Sequence, residues 1–265
     1  METTRRGVLP HVEGKAIAEL IVRRRDLRQP ITKGIKALEG KTIVSVKRRS
    51  KYLLFEIKDN GHLLIHLGMS GSLRVAKPIE EWRKHDHVGI TVSKTKQLRF
   101  HDPRRFGLVL WIKGDPMEHA LLKNLGPEPL RDDFTAEYLK EACAKRSAAI
   151  KLVIMDAKVV VGVGNIYASE SLFRAGISPG IAARRLSKPK LAKLVEVIRQ
   201  VLAESIEQGG TTLRDFVNSE GNPGYFKQRL FVYGREGLFC RTCGKRIKHR
   251  VMGQRATYWC PGCQK

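Results

Sequence analysis

Cys240-x-x-Cys243 and Cys260-x-x-Cys263 stand sixteen residues apart near the end of the 265-residue chain. Two such knuckles can supply four thiolates to one tetrahedral Zn2+ across a β-hairpin. The alternative is a redox pair, but those follow a strand in a βαβ setting, which the flanking sequence does not provide. Four thiolates fill the zinc shell, so the metal is expected to hold the hairpin rather than to catalyse. Arg241, Lys245, Arg246 and Arg255 would offset the negative charge of the thiolates, and the tip Gly253-Gln254-Arg255-Ala256-Thr257 carries an arginine outward. The fifth cysteine, Cys143, falls in the helical stretch 138–146 and is expected to be a small buried apolar residue. A second local pattern is Gly162-Val163-Gly164-Asn165 ahead of IYASESLFRAG. Backbone N–H groups at a helix N-terminus suit a phosphate. A dinucleotide fingerprint is excluded, because Tyr167 takes the place of its third glycine and no βαβ unit surrounds it.

The elements that must position these groups fall into two kinds. Between 41 and 113 the runs TIVSV, KYLLFEI, HLLIHLG, SLRVA, HVGITVS, LRFHD and GLVLWIK read as strands, with Asp59-Asn60-Gly61 as a hairpin turn. Such short strands joined by short turns predict a sandwich or barrel, and residues 3–25 are expected to form a helix packed on it. A Gly/Pro-rich stretch at 114–130 then changes the period from two to 3.6. Leu191, Leu194, Val195, Ile198, Val201, Leu202 and Ile206 mark a long helix ending at Gly209-Gly210. The expected fold class is therefore α+β: an N-terminal β-sandwich domain with a flanking helix (1–113), a linker (114–130), a helical domain (131–228) and a zinc ribbon (229–265).

Lys plus Arg number 50 against 26 Asp plus Glu, a net charge of +24, with cations in nearly every stretch. A polyanion is the implied partner, nucleic acid first and a membrane surface second. No apolar run approaches the roughly 20 residues that span a bilayer, and the first residues lack a secretory pattern, so a cytoplasmic, nucleic-acid-facing monomer without membrane attachment is expected.

ETTRRG, RRSKYLLFEI, HLGMSGSL, KHDHV, DPRRFG, MDAKVVVGVGNIYASE, TTLRDFVNSEGNPGYF and QRATYWCPGCQK occur in this order along essentially the whole chain. Together they resemble the formamidopyrimidine-DNA glycosylase family. The resemblance implies a helix-two-turn-helix module in the helical domain and one structural zinc. It also implies a bifunctional bacterial, nucleoid-associated enzyme that excises oxidised purines from duplex DNA and cleaves the abasic strand by β,δ-elimination. A base must leave the stack before its sugar can be attacked. Met69, Arg104 and Phe106 match the family's void-filling residues: a flexible apolar side chain, a guanidinium for the orphaned base and an aromatic wedge. By the same resemblance His85, Arg146, Lys151 and Asn165 contact DNA. Lys51 and Arg255 match the phosphate-contacting and proton-transferring cations of the elimination steps, and residues 211–226 match the loop that closes over a flipped purine.

Family members carry Pro-Glu-Leu-Pro-Glu-Val ahead of the segment that reads Glu2-Thr3-Thr4-Arg5-Arg6-Gly7 here, where Met1 stands instead. The proline amine attacks the sugar C1′ and the glutamate works as acid and base. Met1 lies about five positions further on, roughly 7 Å even along a helix, and is not expected to substitute; nor is Glu2. The expected reading is a complete enzyme whose coding sequence starts upstream. The competing one is a non-catalytic damaged-DNA binder, and a third is an architectural zinc-ribbon protein indifferent to lesions.

Overall fold

The computed structural model describes residues 1–209 and 230–265. These form two compact units, one holding Met1–Lys123 and the other Asn124–Glu207 with residues 230–265. The first opens with α1 (Glu2–Val12) and β1 (Glu19–Val22). Next come β2 (Ile43–Arg49), β3 (Tyr52–Ile57), β4 (His62–His66) and β5 (Ser72–Ala76). It closes with β6 (Asp86–Thr91), β7 (Gln97–His101) and β8 (Leu108–Ile112).

Two four-stranded antiparallel sheets result, ordered β1-β6-β7-β5 and β2-β3-β4-β8. Period-two alternation puts Leu53, Phe55 and Ile57 of β3, with Leu63 and Ile65 of β4, into one shared core. Leu20, Val88, Ile90, Leu98 and Phe100 enter it from the other sheet, and Val8 and Val12 of α1 cover it. The Asp59-Asn60-Gly61 turn joins β3 to β4, with Asp59 and Gly61 both at positive φ. The helix expected over 3–25 is shorter than the pattern suggested. Pro10 lies in its last turn and Gly14 follows it at φ 71°, while Glu19-Leu20-Ile21-Val22 finds a better partner in β6, whose ladder it joins at Val88–Thr91.

The second unit contains α2 (Ala136–Ala144), α3 (Ile150–Met155), α4 (Asn165–Arg174) and α5 (Lys188–Glu207). Leu191, Leu194, Val195, Ile198 and Val201 of α5 are buried in its core with Cys143, Leu172 and Ile177, as the 3.6-residue period requires. Residues 156–164 turn the chain from α3 into α4, which gives the two-turn connection. The hairpin β9 (Lys248–Met252) and β10 (Arg255–Trp259) closes on a two-residue turn, Gly253 and Gln254, both at positive φ. No described helix is long and apolar enough to cross a membrane. The 211–226 segment expected to close over a base lies outside the described residues.

Candidate nucleic-acid interface

In the first unit two loops carry the exposed groups. The DPRRFG loop is closed by Asp102, which is fully buried. Its carbonyl accepts from Arg105 N–H at 3.2 Å, and its Oδ2 accepts from Gly107 N–H at 2.8 Å. His87 Nε2 sits 2.9 Å from the Asp102 carbonyl, and Asp102 N–H donates to the His85 carbonyl at 2.9 Å. Pro103 occupies the second position of this turn and Arg105 takes φ 57° at its end. Fixed at both ends, the loop leaves Arg104 and Phe106 outside, the guanidinium 4.7 Å from the ring centroid.

The HLGMSG loop lies directly against it. Gly68, at φ 69°, passes so close that a Cβ there would come within 2.7 Å of the Phe106 carbonyl carbon. His66 Nδ1 accepts from Gly68 N–H at 3.0 Å, and Gly71 N–H closes the turn on the Leu67 carbonyl at 3.0 Å. Burial pushes the His66 pKa down to about 4, helped by the charges of Arg28 and Lys51, so the ring is neutral and its Nδ1 is an acceptor. Met69 is thereby presented 66% exposed and Phe106 44% exposed, two large apolar side chains on neighbouring loops.

Lys51 stands exposed in the β2–β3 turn after Ser50, which takes φ 55°. His85 lies beside His101, ring centroids 5.8 Å apart and edge to face. Lost hydration, then the neighbouring charges of His101 and Lys84, lower its pKa. Glu2 is held by Arg5, Arg6 and Arg48 at 2.8, 3.1 and 3.1 Å. Burial opposes ionisation there, but the three arginines outweigh it and keep the carboxyl at about 2. A carboxylate so firmly ionised cannot deliver a proton near neutrality, which fits the reading that Glu2 is no stand-in for a catalytic acid.

In the second unit, Gly164 is the N-cap of α4 and supplies no side-chain cap. Asn165 follows it, and its Nδ2 donates to the Ala256 carbonyl at 3.0 Å. Lys151 is placed differently from the expectation of a DNA contact. It is fully buried, and its Nζ donates to the Ala256 carbonyl at 2.8 Å and to Thr257 Oγ1 at 2.7 Å. Burial, with the adjacent Arg255 charge, lowers its pKa to about 8. Asn165 and Lys151 thus converge on the residue after Arg255, which itself is exposed at the start of β10. Arg146 is exposed and 3.4 Å from Asp156.

The four cysteine sulfurs lie within 4.8 Å of one another, with Cys240–Cys263 at 3.9 Å and Cys243–Cys260 at 3.3 Å. Thr242 N–H points at Cys240 Sγ at 3.4 Å, the kind of bond that stabilises a metal-bound thiolate. Four sulfurs so grouped, with none in a disulfide, fit a closed tetrahedral Zn2+ site. Sequence reasoning missed what anchors this ribbon. Glu170 on α4, buried, accepts N–H bonds from Phe231, Val232 and Tyr233 at 2.8, 3.0 and 2.9 Å. Gln264 bridges Cys260 N–H and the Ile177 carbonyl, both at 2.8 Å. The only prior signal for Glu170 was its place inside the ASE stretch of the helix-two-turn-helix motif.

Three family models match the chain: the formamidopyrimidine-DNA glycosylase N-terminal domain over residues 1–109, its H2TH domain over 125–217, and the zinc finger found in FPG and IleRS over 237–265. A formamidopyrimidine-DNA glycosylase of Thioalkalivibrio sulfidiphilus is 56% identical over 266 residues, covering 100% of this chain and 98% of the relative. The crystal structure of the MutM (FPG) protein from Thermus thermophilus superposes with a TM-score of 0.89 at 38% identity, covering 99% of this chain and 96% of that one. A mutant of Lactococcus lactis FPG in complex with a Fapy-dG containing DNA gives 0.92 at 32% identity, covering 100% and 97%.

Proposed function

The chain belongs to the formamidopyrimidine-DNA glycosylase family, and from that premise we propose that it acts in base-excision repair as a bifunctional DNA glycosylase and AP lyase on duplex DNA containing oxidised purines. The observation that carries this reading is the pair of abutting loops that present Met69, Arg104 and Phe106 together. Extruding a base leaves a hole that costs a few kcal/mol of lost stacking, ~2–4 kcal/mol per step, unless side chains refill it. Phe106 can wedge between base steps, Met69 can fill the vacated volume, and Arg104 can hydrogen-bond the widowed partner base. Asn165 and the first turn of α4 suit a backbone phosphate. Lys51 and Arg255, both exposed cations, serve the elimination steps by holding phosphate oxygens and moving protons. His85 and Arg146 extend the DNA contact.

The four-cysteine site binds one structural zinc through Cys240, Cys243, Cys260 and Cys263. When bound, the metal supplies the cross-link that holds β9 and β10 as a stiff arm for Arg255. The relatives are bacterial glycosylases, which disfavours a purely non-catalytic binder and supports a bacterial cytoplasmic setting. A monomer without membrane attachment, working at the nucleoid, belongs to the same proposed reading.

The test uses the protein with Pro-Glu-Leu-Pro-Glu-Val in place of Met1. Incubated with 8-oxoguanine duplex and borohydride, it should give a covalent protein–DNA band and, without borohydride, strand scission. Lesion duplex left intact by a zinc-loaded, folded protein of that sequence would contradict the proposal.

A further inference from the structure

A cavity of about 780 Å³ opens on the second unit where the 178–187 segment, the first turn of α5 and strand β9 meet. Three cations line it, Arg185, Lys190 and Arg250, together with Ser178 and Ser187. Nearby cations of the same unit are already matched to carboxylates: Lys188 to Glu137 at 2.8 Å, Lys193 to Glu196 at 2.9 Å and Arg174 to Glu204 at 2.7 Å. Among the described residues no hydrogen bond or ion pair engages the side-chain charge of Arg185, Lys190 or Arg250, and the chain holds no Asp or Glu from 176 to 195. The Ser178 side chain lines the cavity, and its hydroxyl makes no hydrogen bond among the described residues.

Arg250 owes its position to a missing side chain. It lies across Gly180, where a Cβ would come within 2.1 Å of Nη2, and its guanidinium is 5.3 Å from the Trp259 ring. The first turn of α5, a 20-residue helix, adds N–H groups without intrahelical acceptors and the positive end of its dipole. Three unmatched cations and two hydroxyls around one opening suit a tetrahedral dianion or a phosphodiester. Register supplies the link to DNA. Arg250 pairs with Thr257 and Met252 with Arg255, so Arg250 and Arg255 project from the same face of the hairpin, two positions or roughly 7 Å apart along the strand. That is the scale of neighbouring phosphates on one DNA strand.

We propose that this cavity is a phosphate-binding site, its occupant a backbone phosphate of DNA beyond those met by Asn165 and Arg255, or a free phosphate group of the same chemistry. The proposal stands on the cavity itself and is tested on undamaged duplex, so its failure is separable from failure of the glycosylase reading.

The experiment measures duplex affinity of the zinc-loaded full chain across a salt series, with pyrophosphate binding read by calorimetry. Gly180→Ala keeps every charge but displaces Arg250, and Gly180 is not at positive φ, so the backbone accepts the alanine. Arg185→Gln with Lys190→Gln removes the other two cations, and Lys188→Gln with Lys193→Gln is the control of equal charge. Zinc content and melting temperature report folding. A salt slope lower by about one in both test variants and unchanged in the control assigns the site to a DNA phosphate. Unchanged slopes, with pyrophosphate bound by the parent and lost in both test variants, assign it to a free phosphate. Equal losses in the control, or neither effect, overturn the proposal.

Discussion

A neutral imidazole at position 66 is what the Met69 loop requires, because His66 Nδ1 can accept the Gly68 N–H only without a proton. Its pKa falls from the ordinary 6.5 to about 4 in the fold. Between those values the unfolded chain binds the extra proton, so the stability contribution is full above about 6.5 and is lost as pH falls toward 4. Melting curves should therefore show an acid loss in that window, and His66→Asn, which keeps an acceptor but does not titrate, should flatten it; an identical acid loss in the variant would count against the assignment. Phe106→Ala should reduce the preference for lesion over plain duplex by about tenfold, ~1.4 kcal/mol, while leaving plain duplex affinity within about twofold, as competition binding can measure. The trio was legible in HLGMSG and DPRRFG only through the family resemblance of those motifs, since by residue type alone Met69 and Phe106 read as core side chains. His66 and Asp102 were not singled out, since a buried polar residue acquires its role only from partners that the fold brings up.

Within the second unit, α4 is the element on which the ribbon hangs. Glu170 satisfies three backbone donors at once, and replacing it with alanine strands them at about 1–3 kcal/mol each before relaxation. Glu170→Ala should speed zinc release to a chelator, read with a metal indicator, while Glu137→Ala should not. Lys151 is buried against the hairpin strand beside Arg255, bonded to the Ala256 carbonyl and Thr257 Oγ1, so its expected effect on DNA runs through Arg255. In a double-mutant cycle on abasic-analogue duplex, Lys151→Met and Arg255→Gln should therefore be non-additive, and the salt slope of Lys151→Met alone should stay unchanged. Additive losses with a slope lower by about one would restore the direct-contact expectation. Composition hid this, because one buried lysine among 50 cations carries no local mark. Strand β1 was hidden for a related reason: ELIV suits a helix or a strand, and only pairing with β6 decides.

Across the whole molecule, the strand-rich half, the helical half and the zinc knuckles could be read from the change in hydrophobic period and from cysteine spacing, since both patterns are set by local geometry. The depth of each anchor and the cavity beside β9 depend on contacts distant in sequence and could not be. Zinc removal should unfold the hairpin and abolish tight DNA binding, while near-UV signals of the β-sandwich survive, because Met1–Lys123 has a core of its own. Survival of full duplex affinity after chelation would contradict that. The most direct test of the central claim, lesion recognition by loops that fill a vacated base position, is the ratio of affinities for an 8-oxoguanine duplex and its undamaged twin at matched salt. The account predicts a clear preference for the lesion that falls when Phe106 or Met69 becomes alanine. Equal binding to both duplexes, unchanged by either substitution, would contradict it.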